Sequence, residues 1–227
     1  MRNIKAILFD YDNTLSNRHS SCYKTFTELV DTFLPQFEKG SIPYEAVLQD
    51  FMTYDQFGNV RLEYGIGRIE KKYGVSIPIE NPAEWWAKHH IGHATIWDDT
   101  LSTLQSLKER GYKLGIVTNG SSYGQRGKIE ATPELPGYFD MILTSEEAGV
   151  NKPNAAIFTM AAEMIGVPAE ECAFVGDTFG NDILGAYRAG MLPIWMWVDQ
   201  TSRPMQTEIL RIQYLSELLD IFPEVNK

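Results

Sequence analysis

The chain has 227 residues, and its 30 acidic side chains outnumber its 20 basic ones, which gives a formal net charge of −10. Hydrophobic residues make up 44% of the sequence, which excludes a disordered chain, and the length allows one large α/β domain or a core domain with an insertion. The excess of acidic residues argues against a nucleic-acid polymer as partner, and the lack of a long apolar run argues against a membrane span. The two cysteines, Cys22 and Cys172, are far apart in the sequence, which argues against a disulfide scaffold or a zinc site.

The first predicted element is a buried strand over Ile4–Phe9, which is a short apolar run that ends at Asp10. Residues 16–95 then show helical periodicity and no convincing strand. Four helical patterns occur in this stretch: Tyr23–Phe37, Tyr44–Phe57, Val60–Tyr73 and Ala83–His93. The sequence therefore predicts a helical domain over residues 16–95, inserted into a core domain made of residues 1–15 and 96–227.

Strands and helices alternate after this insertion. The predicted strands are Lys113–Val117, Met141–Leu143, Cys172–Val175 and Pro193–Val198. Each strand is continuously apolar rather than alternating, which is typical of a parallel sheet that is buried on both faces. The predicted helices are Thr100–Arg110, Asn154–Ile165 and Ile183–Ala189, and each ends at a glycine. This order predicts an α/β fold with a doubly wound, Rossmann-like parallel sheet.

Two carboxylates follow the first strand directly. Asp10 and Asp12 lie two positions apart, so their side chains point the same way if the extended conformation continues past the strand. Asp, Asn and Thr also favour turns and helix starts, so this run by itself leaves a purely structural interpretation open.

Further polar residues follow the other predicted strands. Thr118 and Asn119 come after the second strand, Lys152 after the third, and Asp177 and Asp182 after the fourth. Ligands bind at the carboxyl ends of the strands in an open parallel sheet. Turn formation could explain any one of these residues, but it does not explain a complete set of carboxylates, a hydroxyl group and a lysine.

These motifs, in this order, resemble those of the haloacid dehalogenase (HAD) superfamily of hydrolases, and the resemblance extends from residue 4 to about residue 198. Phosphatases of this superfamily carry an α-helical cap after the first motif, and the insertion at 16–95 resembles that cap. One departure is Ala155, where many relatives have a second proline. The matching motifs are Asp10–Thr14, Thr118–Gly120, Lys152-Pro153, and Gly176-Asp177 with Asn181-Asp182.

The resemblance implies catalytic roles for five residues. Asp10 would be the nucleophile that forms an aspartyl phosphate, and Asp12 would protonate the leaving oxygen and then activate water. Thr118 and the Asn119 amide would hold the non-bridging oxygens. Lys152 would neutralise charge on both the nucleophile and the transferred group.

The resemblance also implies a Mg²⁺ site formed by Asp10, the Asp12 carbonyl and Asp177, with Asp182 orienting Lys152 or a metal-bound water. Four ionised aspartates with Lys152 as their counterion leave three negative charges in this site. A phosphate monoester carries about two negative charges itself, so the site would repel its substrate unless a metal ion were bound.

The expected function is Mg²⁺-dependent hydrolysis of a small phosphate monoester, such as a sugar phosphate or a nucleotide monophosphate, by a cytoplasmic enzyme. A phosphomutase is one alternative. A metal-independent 2-haloacid dehalogenase is another, although such relatives lack the second aspartate. A non-catalytic phosphate-binding module is the third, although no catalytic group is missing. The run Gln125–Ile129, together with Asn119-Gly120, resembles nucleotide 5′-monophosphatases and N-acylneuraminate 9-phosphate phosphatases.

Two features of the insertion allow more than one interpretation. His89 and His93 have the i, i+4 spacing of a metal-binding pair, but no third ligand follows, which favours a hinge or surface role. Arg18, Arg61 and Arg68 are candidates to recognise a carboxylate or second phosphate on the substrate, and they are equally consistent with solvated helix faces.

Overall fold

The computed structural model describes residues 2–196 and 208–224, and the chain divides into two compact units. One unit contains residues 1–17 and 96–227, and the other contains residues 18–95. The sequence predicted that the insertion begins at residue 16, whereas the second unit begins at Arg18, so Ser16 and Asn17 belong to the first unit. Ser16 forms isolated β-bridges with Asp12 and Ile96, which are in the same unit. No helix in the described part of the chain is long and apolar enough to cross a membrane.

The unit of residues 18–95 contains four helices: α1 (Arg18–Phe33), α2 (Ile42–Asp55), α3 (Leu62–Tyr73) and α4 (Pro82–Gly92). All four match predicted helical patterns, although α1 begins earlier than predicted. The side chains of Ser41 and Asn81 cap α2 and α4 by accepting hydrogen bonds from main-chain N–H groups in the first turn. A buried ion pair joins Arg18 to Asp55, with Nη–Oδ distances of 2.5 and 2.9 Å, and so links the start of α1 to the end of α2.

The other unit is built on a parallel sheet of six strands in the order β3-β2-β1-β4-β5-β6. The strands are β1 (Ala6–Phe9), β2 (Lys113–Thr118), β3 (Met141–Thr144), β4 (Cys172–Gly176), β5 (Leu192–Met196) and β6 (Leu210–Ile212). The predicted doubly wound α/β fold is therefore confirmed. Trp197 and Val198, at the end of the fifth predicted strand, lie outside the described residues. The sequence did not predict β6 because Ile212 is its only buried residue, so it has no apolar run.

Within the described residues, six α-helices accompany the sheet: α5 (Thr100–Glu109), α6 (Ser122–Glu130), α7 (Ser145–Ala148), α8 (Ala155–Ile165), α9 (Leu184–Arg188) and α10 (Leu218–Ile221). The side chains of successive β1 residues pack into two different hydrophobic clusters, because side chains alternate between the two faces of a strand. Ile7 and Phe9 belong to the cluster that includes Leu104 of α5, whereas Leu8 belongs to the cluster that includes Phe158 of α8. Both faces of β1 are buried, which is why its sequence is continuously apolar.

Candidate active site

The backbone at the end of β1 presents the two carboxylates. Asp10 continues the parallel pairing, since its N–H donates to the carbonyl of Val175 in β4 at 2.9 Å. The chain then turns tightly around Tyr11, whose carbonyl accepts from three following N–H groups. Asn13 adopts a φ of +58° within this turn, a left-handed conformation that asparagine tolerates better than most residues. The turn buries the side chain of Tyr11 completely and leaves Asp10 and Asp12 at the carboxyl edge of the sheet.

Lys152 is a buried cation that joins two of the predicted aspartates. Its Nζ lies 2.6 Å from Oδ1 of Asp10 and 2.7 Å from Oδ1 of Asp182. The side chain of Asn119 holds the Lys152 backbone from both sides: Oδ1 accepts from the Lys152 N–H at 2.9 Å, and Nδ2 donates to the Lys152 carbonyl at 3.1 Å. Asn119 therefore fixes the loop that carries the lysine, a role that its position in the sequence did not reveal.

Close packing after β4 fixes the position of Asp182. Its Oδ2 accepts from the Thr178 N–H at 2.9 Å, and the residue is only 1% exposed. A Cβ atom at Gly176 would lie 2.4 Å from the Asp182 side chain, so any residue larger than glycine would displace this carboxylate.

Asp177 is held at three of its oxygen atoms. Oδ1 accepts from the Thr178 hydroxyl at 3.1 Å, Oδ2 accepts from Nδ2 of Asn13 at 3.4 Å, and the carbonyl oxygen accepts from Nε1 of Trp195 at 2.8 Å. Sequence reasoning treated Trp195 as a packing aromatic, so its contact with the site loop was missed. Nothing in its local pattern distinguishes it from a core residue.

The carboxylates of Asp10, Asp177 and Asp182 form a compact cluster, with one oxygen of each within 4.8 Å of the others. Burial, followed by repulsion from Asp182 and Asp12, raises the pKa of Asp10 to about 6 against the opposing effect of Lys152. Burial and the nearby Asp10 and Asp182 also raise the pKa of Asp177 well above its usual value. These carboxylate oxygens suit a hard divalent cation as ligands, and the positive charge of such an ion would offset the repulsion between the carboxylates.

The raised pKa of Asp10 gives a prediction for the metal-free protein: the contribution of Asp10 to its stability should fall as the pH rises from about 4 to about 6. The folded state holds the Asp10 proton more tightly than the unfolded chain does, because the pKa rises from 3.8 to about 6 on folding. Protonation therefore favours folding. This advantage is complete below the unfolded pKa and is lost as the pH rises through the folded pKa.

The loss amounts to about 3 kcal/mol, from about 1.4 kcal/mol per pKa unit. Urea unfolding in EDTA at a series of pH values would measure it for the wild type and for Asp10→Asn, which lacks the titrating group. The variant should gain stability relative to the wild type as the pH rises. A difference between the two proteins that does not change with pH would contradict the raised pKa.

The carboxylate of Asp12 is held by two residues of α6. Lys128 Nζ lies 2.7 Å from Oδ1 and 2.5 Å from Oδ2, and Gln125 Nε2 lies 3.1 Å from Oδ2. Both residues belong to the run that resembles particular phosphatases, but sequence reasoning gave them no role. The sequence predicted Lys152 as the single counterion of the four aspartates. The structure adds Lys128, so the site holds two buried ammonium groups for four carboxyl groups.

Thr118 is the last residue of β2, where it pairs in register with Thr144 of β3 and is 1% exposed. The strand end places it directly before Asn119. All the residues that the sequence predicted for the site therefore lie in the sheet unit, at the carboxyl ends of strands or in the loops and the helical turn (Phe179–Ile183) that follow them. Lys152 forms ion pairs with Asp10 and Asp182, and the Asp177 carboxylate lies close to the carboxylates of these two aspartates.

The histidine pair in the helical unit has a partner that the sequence did not show. The Oε1 atom of Glu28, in α1, lies 2.7 Å from Nδ1 of His89, and its Oε2 atom lies 2.8 Å from Nε2 of His93. Each oxygen of Glu28 therefore faces a different imidazole ring, and the carboxylate bridges the two histidines. This arrangement ties the end of α4 to α1.

The chain is similar to known hydrolases and phosphatases. A profile for haloacid dehalogenase-like hydrolases matches residues 4–190. The glyceraldehyde 3-phosphate phosphatase of Methanothermobacter thermautotrophicus is 31% identical over 199 residues, which cover 84% of each chain. The N-acylneuraminate-9-phosphatase of Mus musculus is 26% identical over 96% of this chain and 92% of the relative. A crystal structure of a HAD phosphatase from Thermococcus onnurineus superimposes with a TM-score of 0.67 at 27% identity, covering 96% of this chain and 97% of the other.

Proposed function

This chain belongs to the haloacid dehalogenase-like hydrolase family, and we propose that it is a Mg²⁺-dependent phosphatase that hydrolyses a small phosphate monoester through an aspartyl-phosphate intermediate. One observation carries the proposal. A buried nucleophile candidate, Asp10, contacts the Lys152 ammonium group and shares a cluster of oxygen donors with Asp177 and Asp182. The site thus combines a nucleophile, a fixed cation and ligands suited to a divalent metal ion.

In the first step, a carboxylate oxygen of Asp10 attacks the phosphorus atom, and the bond from phosphorus to the leaving oxygen breaks. The leaving oxygen takes the electron pair and receives a proton from Asp12. Lys152 stabilises the negative charge that is shared between Asp10 and the transferred group. The Thr118 hydroxyl and the main-chain N–H of Asn119 donate to the non-bridging oxygens, since the Asn119 side chain already binds the Lys152 backbone.

In the second step, water attacks the phosphorus atom and Asp12 takes a proton from it, which releases inorganic phosphate and regenerates the Asp10 carboxylate. Asp10, Asp177 and the main-chain carbonyl of Asp12 would hold Mg²⁺, and Asp182 would keep Lys152 in position. When bound, the ion would supply positive charge to offset the carboxylates and the substrate phosphate.

We assign the choice of substrate to the helical unit, residues 18–95, acting as a cap. The core residues bind the phosphoryl group only, so discrimination between substrates has to come from elsewhere in the chain. Two cap arginines already have partners inside the unit: Arg18 pairs with Asp55, and Arg68 donates to the Tyr64 hydroxyl at 2.8 Å. Arg61 is exposed, and substrate recognition by any of the three stays a prediction.

A panel of phosphorylated metabolites, assayed for phosphate release with Mg²⁺, tests the proposed function. The panel should include glyceraldehyde 3-phosphate and N-acylneuraminate 9-phosphate, because the relatives named above are phosphatases of that kind. We expect release from at least one small phosphate monoester and none by Asp10→Asn. A panel that yields no phosphate above the level of that variant would contradict a phosphatase.

Removing one proposed metal ligand should weaken metal use. In Asp177→Asn, we expect the Mg²⁺ concentration for half-maximal activity to rise at least about tenfold, because a neutral amide is a weaker ligand for a hard cation. The matched control is Asp220→Asn, which changes an exposed aspartate of α10. Titrating Mg²⁺ into both variants and the wild type makes the comparison. Equal Mg²⁺ requirements in all three proteins would remove Asp177 from the metal site.

A further inference from the structure

One face of α6 is directed at Asp12. Gln125 and Lys128 lie three positions apart on this helix, a spacing that puts both side chains on the same face. Both residues are buried, at 6% and 7% exposure. Lys128 contacts both carboxylate oxygens of Asp12, and Gln125 donates to one of them.

Other contacts hold these two side chains in place. The Tyr11 hydroxyl donates to the Lys128 carbonyl at 3.0 Å, and the Lys128 ammonium lies 5.3 Å from the centre of the Tyr11 ring. Gln125 Nε2 also donates to the Asn119 carbonyl at 2.6 Å. A Cβ atom at Gly120 would lie 2.8 Å from Gln125 Nε2, so the glycine makes room for the amide. The side chains that contact Asp12 are therefore themselves fixed.

We propose that Lys128 and Gln125 are positioning residues that hold the Asp12 carboxylate in the orientation needed for its proton transfers. A free aspartate rotates about two side-chain bonds, whereas proton transfer requires a defined distance and angle to the reacting oxygen. Contacts to both oxygens restrict both rotations. This inference rests on the proposed function and deepens it, because it assigns to α6 the alignment of the acid and base.

The leaving group provides the first test. Phosphate esters with poor leaving groups depend on protonation by Asp12, whereas aryl esters with acidic phenols depend on it little. In Lys128→Met, we expect kcat/KM to fall at least about tenfold more for the poor leaving groups than for the good ones. Lys128→Arg, which restores a bidentate donor, should recover part of the loss. Lys113→Met is the matched control, since Lys113 donates to the Ile165 carbonyl at the opposite end of β2 and should show no such difference.

A double-mutant cycle provides the second test. If Lys128 acts through Asp12, Lys128→Met should change the rate of phosphoenzyme formation little in an Asp12→Asn background, although it lowers that rate in the wild-type background. The inference would be overturned if Lys128→Met lowered the rate of phosphoenzyme formation by the same factor in both backgrounds. It would also be overturned if the fall in kcat/KM were the same for all leaving groups. Gln125→Met offers a second variant should Lys128→Met fail to fold, and it should show the same dependence on the leaving group to a smaller degree.

The two proposals fail in distinguishable ways. If the wild type releases no phosphate from any phosphate ester, the proposed function is wrong. If the wild type releases phosphate and the Lys128 variants show no preference among leaving groups, only the positioning role is wrong.

Discussion

Asp10→Asn is expected to abolish turnover, with kcat reduced by at least about 10⁴-fold, a loss typical for removal of a nucleophile. An amide oxygen cannot form the acyl phosphate at a useful rate. The side chain keeps its size, so the fold should survive, although Lys152 loses one of its two carboxylate partners. Phosphate release and the mass of the quenched protein would be measured together. Asp12→Asn, which lacks the base for the second step, should accumulate a phosphoryl group that the wild type does not accumulate and that Asp10→Asn cannot form.

Asp220→Asn is the matched control for this substitution and should retain full activity. The Asp10→Asn sample must be free of deamidation, because a small fraction of restored aspartate would mimic residual activity. More than a few per cent of wild-type kcat in such a sample would rule out the covalent mechanism.

Removal of divalent metal ions should have the second largest effect, a loss of at least about 100-fold in activity after exhaustive EDTA treatment. Four aspartates share the site with two buried lysines, so the carboxylates outnumber the ammonium groups, and their full ionisation in the presence of a phosphate dianion requires further positive charge. Adding Mg²⁺ or Mn²⁺ should restore activity. Ca²⁺ should replace them poorly, because it prefers more ligands at longer distances and would alter the attack geometry of Asp10.

Thermal unfolding gives a readout of metal binding that does not depend on activity. Mg²⁺ should raise the Tm of the wild type, and it should raise that of Asp177→Asn much less. Full activity after chelation would contradict a metal requirement and would favour chemistry of the metal-independent dehalogenase type.

Local patterns in the sequence predicted the fold class and five of the six strands in the described residues. Both faces of β1 are buried, so Ala6–Phe9 is uniformly apolar, and the four strands that follow it in the chain are mainly apolar and mostly buried. The short edge strand β6 was not predicted, because Ile212 is its only buried residue. Prediction from apolar patterns thus succeeds for strands that are mostly buried, including β3 at the other edge of the sheet, and fails for a strand that buries a single residue.

The sequence also determined the candidate nucleophile and its surroundings to a large extent. Asp10, Lys152 and Asp182 each follow a predicted strand, and parallel strands bring such residues to one edge of the sheet. The structure places the Lys152 ammonium within 2.7 Å of both carboxylates. The positions of these residues after predicted parallel strands, together with the family resemblance, were enough to predict this grouping.

Only the tertiary structure decided which side chains contact Asp12 and Asp177. Lys128 and Gln125 reach Asp12 across 116 and 113 positions of sequence, and Trp195 reaches the Asp177 carbonyl from β5. Burial and helical spacing look the same for a residue that packs and for one that donates a hydrogen bond. The difference lies in which distant atom the side chain meets, and that depends on how strands and helices pack together, which local periodicity does not encode.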